Sequence, residues 1–351
     1  MGMGAAMSFF NRVWTPAKTQ NGHSDTSAMA MEAIRETPGP VETVVALGGG
    51  GARGAAHLGA MRRIAESDLK IGRIVGVSMG AFVGAMCAVE SDIDAIQSRA
   101  IALLRSPAFS EKQRLLGCAS RTGRVETKPG MFSWYKRLTQ YLSAHHQCNR
   151  VITGRSILEN QFLRQAIDTL VPDILIEDTE TPLSIVAADL RTGQPIVLES
   201  GSLRSAVEAS MAIPGIFQPV EHRGMLLCDI GAIHSLPMEI ARAYPHSLAI
   251  GVDVSQSLSV IADCSTALDV MIRMEEIGER MHRRGSLHEA DLIIRPHVNG
   301  IAWFDFHRVE ALIDAGYQAA CESLSGHTRR ENSQNFGPRK LADTSNPACD
   351  K

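Results

Sequence analysis

Two glycine-rich motifs and one carboxylate carry the residues able to do chemistry. Gly76-Val77-Ser78-Met79-Gly80 is a G-x-S-x-G. That pattern sets a serine on a sharp strand-to-helix turn, with its hydroxyl held out of the sheet as a nucleophile. Gly48-Gly49-Gly50-Gly51-Ala52-Arg53-Gly54 is nearly free of Cβ atoms. Several backbone N–H groups can therefore turn toward one anion, and a following helix adds its positive end. A serine attacking an ester also needs a base. Asp229, in Leu226-Leu227-Cys228-Asp229-Ile230-Gly231, closes an apolar run. A carboxylate there is expensive to bury without a partner or a task. Histidine is the usual alternative base, and His57, His222, His234 and His246 are candidates. His234 and His246 follow an acid as an α/β-hydrolase order requires, but Asp229 stands too close to His234 to occupy a separate loop.

Each motif has a plainer reading. Gly49, Gly51 and Gly54 also fit G-x-G-x-x-G. A dinucleotide site of that kind needs an acidic residue at the end of the second strand, where this chain has Val77-Ser78. A phosphate-binding Walker loop needs a lysine that is absent here. Ser78 could cap a helix, and Asp229 could simply close a turn.

The elements that must position these groups alternate between strand and helix. Thr43–Leu47 reads as a buried strand and 55–67 as a helix. Ile71–Val77 and 79–89 repeat that pair around Ser78. Ser156 and Glu159 form a capping box for a helix running to about Leu170. Leu183–Ala188 and Pro195–Glu199 are strands joined at Thr192-Gly193. Met225–Cys228 and Leu248–Val254 are further strands, followed by two helical segments and a strand at Leu292–Arg295. Such alternation implies an α/β sheet covered by helices on both faces.

Composition sets the outer limits. The chain has 351 residues, of which 44% are apolar and 21% charged. That is enough apolar surface for a sizeable core and excludes a wholly disordered chain. A net charge of −3 and few aromatic residues argue against nucleic acid as a partner. Seven scattered cysteines without a C-x-x-C pair argue against a disulfide framework or a thiolate zinc site. No run is long enough to span a bilayer, and the N-terminus lacks a secretory pattern. The expected address is the cytoplasm, with peripheral membrane contact through 101–150. In that stretch nine Lys and Arg face only Glu111 and Glu126, interleaved with Phe109, Phe132, Trp134, Tyr135 and Tyr141. A solvated connection is the plainer alternative. Residues 1–40 and 326–351 read as disordered tails around a 41–325 body.

GGGGARG with AAHLGAMRRI, then GVSMG, SMAIPGIFQPV and CDIG, resembles the bacterial patatin-like phospholipase family. The resemblance is strong over 43–255 and weaker through ADLIIRPHVNGIAWFDF, in a C-terminal extension over 256–325. It implies a three-layer α/β/α fold with a mostly parallel central sheet. It implies hydrolysis of acyl esters of phospholipids or lysophospholipids by a Ser–Asp dyad, with no metal or cofactor. On that basis Ser78 is the nucleophile and Asp229 its base. Gly76, Val77, Met79 and Gly80 frame the elbow. The amides of Gly49, Gly50, Gly51, Ala52, Arg53 and Gly54 form the oxyanion hole, and Arg53 braces that loop or a lipid phosphate. Ile230 departs from the family's Asp-Gly motif, while Gly231 is retained. Ile takes positive φ poorly, so either the turn needs none or the carboxylate is displaced. The alternatives are an esterase with a histidine base and a catalytically impaired lipid-binding protein.

Overall fold

The computed structural model describes residues 41–107, 109, 160–258, 260–261, 263–264, 267–302 and 305–335. Residues 1–40 and most of the basic and aromatic stretch at 110–150 lie outside them. The strands are β1 Val41–Leu47, β2 Ile71–Val77, β3 Leu183–Asp189, β4 Gln194–Leu198, β5 Val220–His222, β6 Met225–Cys228, β7 His246–Val252 and β8 Leu292–Ile294. They form one sheet in the order β5-β6-β3-β2-β1-β7-β8, with β4 also paired to β3. From β3 through β8 the pairing is parallel. The pairs β3–β4, β3–β6 and β5–β6 are antiparallel. The sheet is therefore mostly parallel, as expected.

Burial on both faces makes this a layered fold. In β1, Val44, Val45, Ala46 and Leu47 are all fully buried. Val45 and Leu47 join one hydrophobic cluster, and Val44 and Ala46 join another on the opposite face. That follows from the two-residue period of a strand. The first cluster is built with α1 Ala56–Ala65, α2 Met79–Val89, α3 Ile93–Arg105, α4 Gln161–Leu170, α5 Leu203–Met211 and α8 Val309–Asn335. The second is covered by α6 Met238–Arg242 and by Leu287 of α7 Ala267–His288. The result is helices, sheet and helices in three layers. Helices α1 and α8 approach through glycines. A Cβ on Gly59 would sit 1.8 Å from the Ile313 carbonyl oxygen, and one on Gly316 would sit 1.8 Å from that of Ala56.

Three elements differ from expectation. Helix α4 begins at Gln161 rather than at a Ser156 cap, and Ser156 and Glu159 fall outside the described residues. The Asn160 side chain is instead committed to tertiary contacts, donating to Glu208 and to the Gln218 carbonyl, each at 2.9 Å. Among the described residues between β7 and β8 there is one long helix, α7, instead of two segments. The helix contains Gly278 and Gly285, and a Cβ on either would meet nothing within 4 Å. The helix thus continues through them at only a propensity cost. Helix α8 runs past 325 into the stretch read as a tail. Polar residues extend a helix readily once its packed turns have nucleated it.

Candidate active site

Sheet topology alone brings Ser78 and Asp229 together. Strand β3 uses one edge for β4, through Ile185–Asp189. Its other edge must then serve both β2 and β6. Parallel β2 takes the first part, ending with Val77 opposite Val186. Antiparallel β6 takes the rest, with Leu227 opposite Asp189 and Cys228 opposite Ala188. The two strands therefore run toward each other along one edge. Extending both ladders by one residue puts Ser78 and Asp229 at the level of Ala187.

Ser78 sits at the turn from β2 into α2 with φ 55° and ψ −124°. A non-glycine residue held there stores about 1–3 kcal/mol of strain, a hallmark of a nucleophile elbow. The surroundings hold it in place. The Ser78 N–H donates to Ser210 Oγ at 2.8 Å, and that hydroxyl donates to the Val186 carbonyl at 2.6 Å. The Ser78 carbonyl accepts from Ala81 and Phe82, starting α2. The flanking glycines serve close contact. A Cβ on Gly76 would lie 2.6 Å from Ala81 Cα, and one on Gly80 would lie 2.1 Å from the Leu47 carbonyl oxygen. Val77 is buried in the sheet, and Met79 lies against Gly54 of the glycine loop.

Asp229 is 5% exposed. Its backbone N–H donates to the Ala212 carbonyl at 2.9 Å, and its Oδ1 accepts from the Gly231 N–H at 2.7 Å. Burial raises its carboxyl to about 6; hydrogen bonds from the Ser78 hydroxyl and the Gly231 amide oppose that rise without cancelling it. Ile230 settles the question its identity raised. The non-glycine residues with positive φ, among those described, are Ser78 and Arg223, so this turn asks nothing unusual of isoleucine. Its side chain packs with Val77 and Val186, and its carbonyl accepts from Ile233 and His234. Gly231 leaves room where a Cβ would crowd Asp229 Oδ1 at 2.9 Å.

The glycine loop lies against the elbow. A Cβ on Gly49 would be 3.3 Å from Ser78 Cβ, and one on Gly54 would be 2.2 Å from Met79 Cγ. Not every amide expected in an oxyanion hole is free. Gly48 N–H donates to Val252 O at 3.2 Å and Gly49 N–H to Ser235 O at 2.8 Å. Gly49 is thus an anchor rather than a donor. A 3-10 turn over Gly51–Ala55 follows, with Gly51 at φ 58°. The first N–H groups of such a turn have no acceptor within it. Arg53 is 3% exposed and donates from Nε to the Gly50 carbonyl at 3.0 Å. Burial lowers its guanidinium to about 10, against the pull of Glu279 and Asp253. Of its two expected roles, the geometry supports bracing the loop.

The histidines do not gather at Ser78. His57 lies under the loop with Nε2 donating to Gly48 O at 2.7 Å, and burial lowers it to about 4, so it is neutral. His246 starts β7 opposite Val41, while the other end of that strand reaches the glycine loop at Val252. His234 pairs with Glu239 at 2.9 Å. His222 lies on β5. Phe109, one of the aromatic residues expected at a membrane surface, is buried between Phe162 and Phe306. Arg105 of the same stretch pairs with Glu310.

Two sets of positioning residues escaped the sequence reading. Ser210 holds the Ser78 amide while Ala212, two residues on, holds the Asp229 amide. SMAIP is therefore the bridge between Ser78 and Asp229. Its signal was present as a motif without an assigned chemistry. The second set fixes Ser235, whose carbonyl anchors Gly49. The Ser235 hydroxyl bonds Glu279, which pairs with Arg283 at 3.1 Å. Arg283 also reaches the buried Asp253 at 3.2 Å, as does Arg295.

The sequence model described as "Patatin-like phospholipase" matches residues 45–242. Patatin-like phospholipase domain-containing protein 6 of Mus musculus is 26% identical over 336 residues, covering 88% of this chain and 22% of that one. An uncharacterized NTE family protein of Mycobacterium tuberculosis is 30% identical over 230 residues, covering 66% of this chain and 53% of its own length. The chain thus spans about a fifth of the first relative and about half of the second. Among solved structures, VipD from Legionella pneumophila is similar with a TM-score of 0.40 at 16% identity, covering 82% of this chain and 67% of that one. No described helix is long and apolar enough to cross a membrane. The matched segment takes in the glycine loop, the elbow and the acidic turn and exceeds half of the chain, so the chain belongs to the patatin-like phospholipase family.

Proposed function

We propose that this chain is a lipid ester hydrolase, of phospholipase A or lysophospholipase type, working through Ser78 and Asp229. The observation that carries the reading is a Ser78 held at φ 55° at the end of β2, met head-on by β6 with the buried Asp229, whose carboxyl burial raises to about 6. An ordinary aspartate is too weak a base at neutral pH, and this one has moved toward the working range. Asp229 takes the hydroxyl proton as Ser78 Oγ attacks the ester carbonyl. The negative charge that develops on the carbonyl oxygen is met by amides about Gly50, Gly51 and Ala52. Each such donor is worth about 2.7–4 kcal/mol in the transition state. Asp229 then returns the proton to the departing alcohol, leaving an acyl-serine. In the second half, Asp229 takes a proton from water, which attacks the acyl group, and returns it to Ser78 Oγ as the acyl bond to serine breaks and the fatty acid leaves.

A fluorophosphonate probe together with product analysis on defined phospholipids tests this. Wild type should be labelled and should release fatty acid, and Ser78→Ala and Asp229→Asn should do neither. Equal labelling of wild type and Ser78→Ala, or fatty acid release that survives both changes, would remove the dyad. Activity lost on replacing His246 with Asp229 intact would favour the histidine-base esterase.

A further inference from the structure

A second cluster of chemistry-bearing side chains stands beside the acidic turn, unused by the hydrolysis above. His234, Glu239 and His282 each present one ligand atom, all within 4.8 Å of one another. They come from three elements: the turn after Asp229, helix α6 and helix α7. His234 Nε2 lies 2.9 Å from Glu239 Oε2. The rings of His234 and His282 lie with centroids 4.6 Å apart, tilted by 40° to each other. The carboxylate is oriented from behind. The fully buried Ser286 hydroxyl lies 2.8 Å from Oε1 and 3.0 Å from Oε2 of Glu239. A hydroxyl that orients a ligating carboxylate is one of the outer contacts seen around metal ligands.

We propose that His234, Glu239 and His282 form a zinc-binding site that staples the Asp229-bearing turn to helix α7. The donor set decides the class of ion. Two imidazole nitrogens and one carboxylate oxygen suit zinc with a water in the fourth position, whereas calcium and magnesium ask for oxygen throughout. Tetrahedral zinc at about 2.0–2.1 Å from each ligand needs them roughly 3.4 Å apart. His282 is exposed, so rotation of its side chain can close the remaining gap. The placement gives the ion a consequence. The turn from 229 to 235 carries Asp229 at one end and, at the other, the Ser235 carbonyl that anchors Gly49. Glu279, one helical turn before Arg283, already ties Ser235 to α7. Zinc adds a second tie beside it and stiffens both the acid and the oxyanion loop.

The test is metal binding by the full chain, stripped with chelator and dialysed against zinc, with cobalt as a spectroscopic substitute. Wild type should retain a single tight equivalent and show the visible bands of tetrahedral cobalt. His282→Ala should lose both, and His288→Ala, on the same exposed helix, should keep them. Ser286→Ala should weaken zinc about 10–100-fold, the range typical of a lost supporting contact. Zinc should raise the melting temperature of wild type and of His288→Ala but not of His282→Ala. Zinc content equal in wild type and His282→Ala, or no tight equivalent in wild type, overturns the proposal and leaves a histidine–glutamate pair beside a second ring. Because the readout is binding, its failure leaves the ester hydrolase reading standing, and the reverse also holds.

Discussion

Asp229→Asn separates activity from stability in a way that only a raised carboxylate pKa predicts. The substitution keeps an oxygen that can accept from Gly231 and removes the charge. In wild type the carboxyl rises from 3.8 to about 6 on folding, chiefly through burial. Its stabilising contribution is therefore fully present below the unfolded value and is lost as pH rises through the folded one. Each tenfold change in proton affinity is worth about 1.36 kcal/mol, so above about pH 6 the buried charge costs the fold roughly 3 kcal/mol. Asparagine carries no such cost. The variant should be more stable than wild type by up to roughly 3 kcal/mol at about pH 8, with the gain shrinking below pH ~6 and absent below pH ~4. His57 conceals this in wild type. Its fall from 6.5 to about 4 means that stability is lost as pH drops through the same window. The magnitude is again roughly 3 kcal/mol, with the opposite sign. Wild type should be nearly level across that window for these two groups, and Asp229→Asn should slope downward into acid. Urea denaturation of both proteins across pH gives the difference directly. Hydrolysis, meanwhile, should fall about 10²–10⁴-fold, the typical contribution of a general base. A stability difference that does not change with pH, or a variant weaker than wild type at about pH 8, would refute the buried-charge argument.

Three further perturbations address the scaffold. Ser210→Ala leaves the Ser78 amide without its acceptor in a buried place, which should cost about 1–3 kcal/mol. Because the elbow loses its brace, kcat should fall more than KM rises in a lipid ester assay; an unchanged kcat would mean the strain is held elsewhere. Gly316→Ala forces a methyl group to within 1.8 Å of the Ala56 carbonyl oxygen and should lose about 1–3 kcal/mol or more in denaturant melts. Gly285→Ala, on α7 where nothing lies within 4 Å, should instead gain about 0.5–1 kcal/mol. Equal effects at the two glycines would contradict the packing described for α1 and α8.

The first half of the fold was legible because local pattern and tertiary demand agree there. Apolar runs bounded by glycines placed β1, β2 and α2 within a residue or two. Legibility failed where tertiary contacts override local signals. Asn160 serves Glu208 and Gln218 rather than capping α4, and glycines in α7 face open space instead of ending it. At the site, the turn that holds Ser78 and the end of the strand that carries Asp229 were readable from motif chemistry. Which amides remain free was not, because Gly49 donates to Ser235, far along the chain. The His234, Glu239 and His282 cluster was equally hidden: it depends on α7 crossing the acidic turn, and no short spacing records that crossing.

The position of Ile230 shows why a departure from a motif can be harmless when its physical purpose is met in another way. A glycine after the acid matters if the turn requires positive φ or if a Cβ would crowd the carboxylate. Neither applies at 230, whose side chain points into the cluster beneath β2 and β3. Both the crowding and the carboxylate's amide donor belong to Gly231. What the turn must do is deliver Asp229 to the end of β2. The shared edge of β3 achieves that, since β6 runs head-on toward β2 and leaves the acid at the level of Ala187. Residue 230 is therefore free to serve packing, and the alignment of Asp229 with Ser78 rests on strand register and on the Ser210–Ala212 bridge.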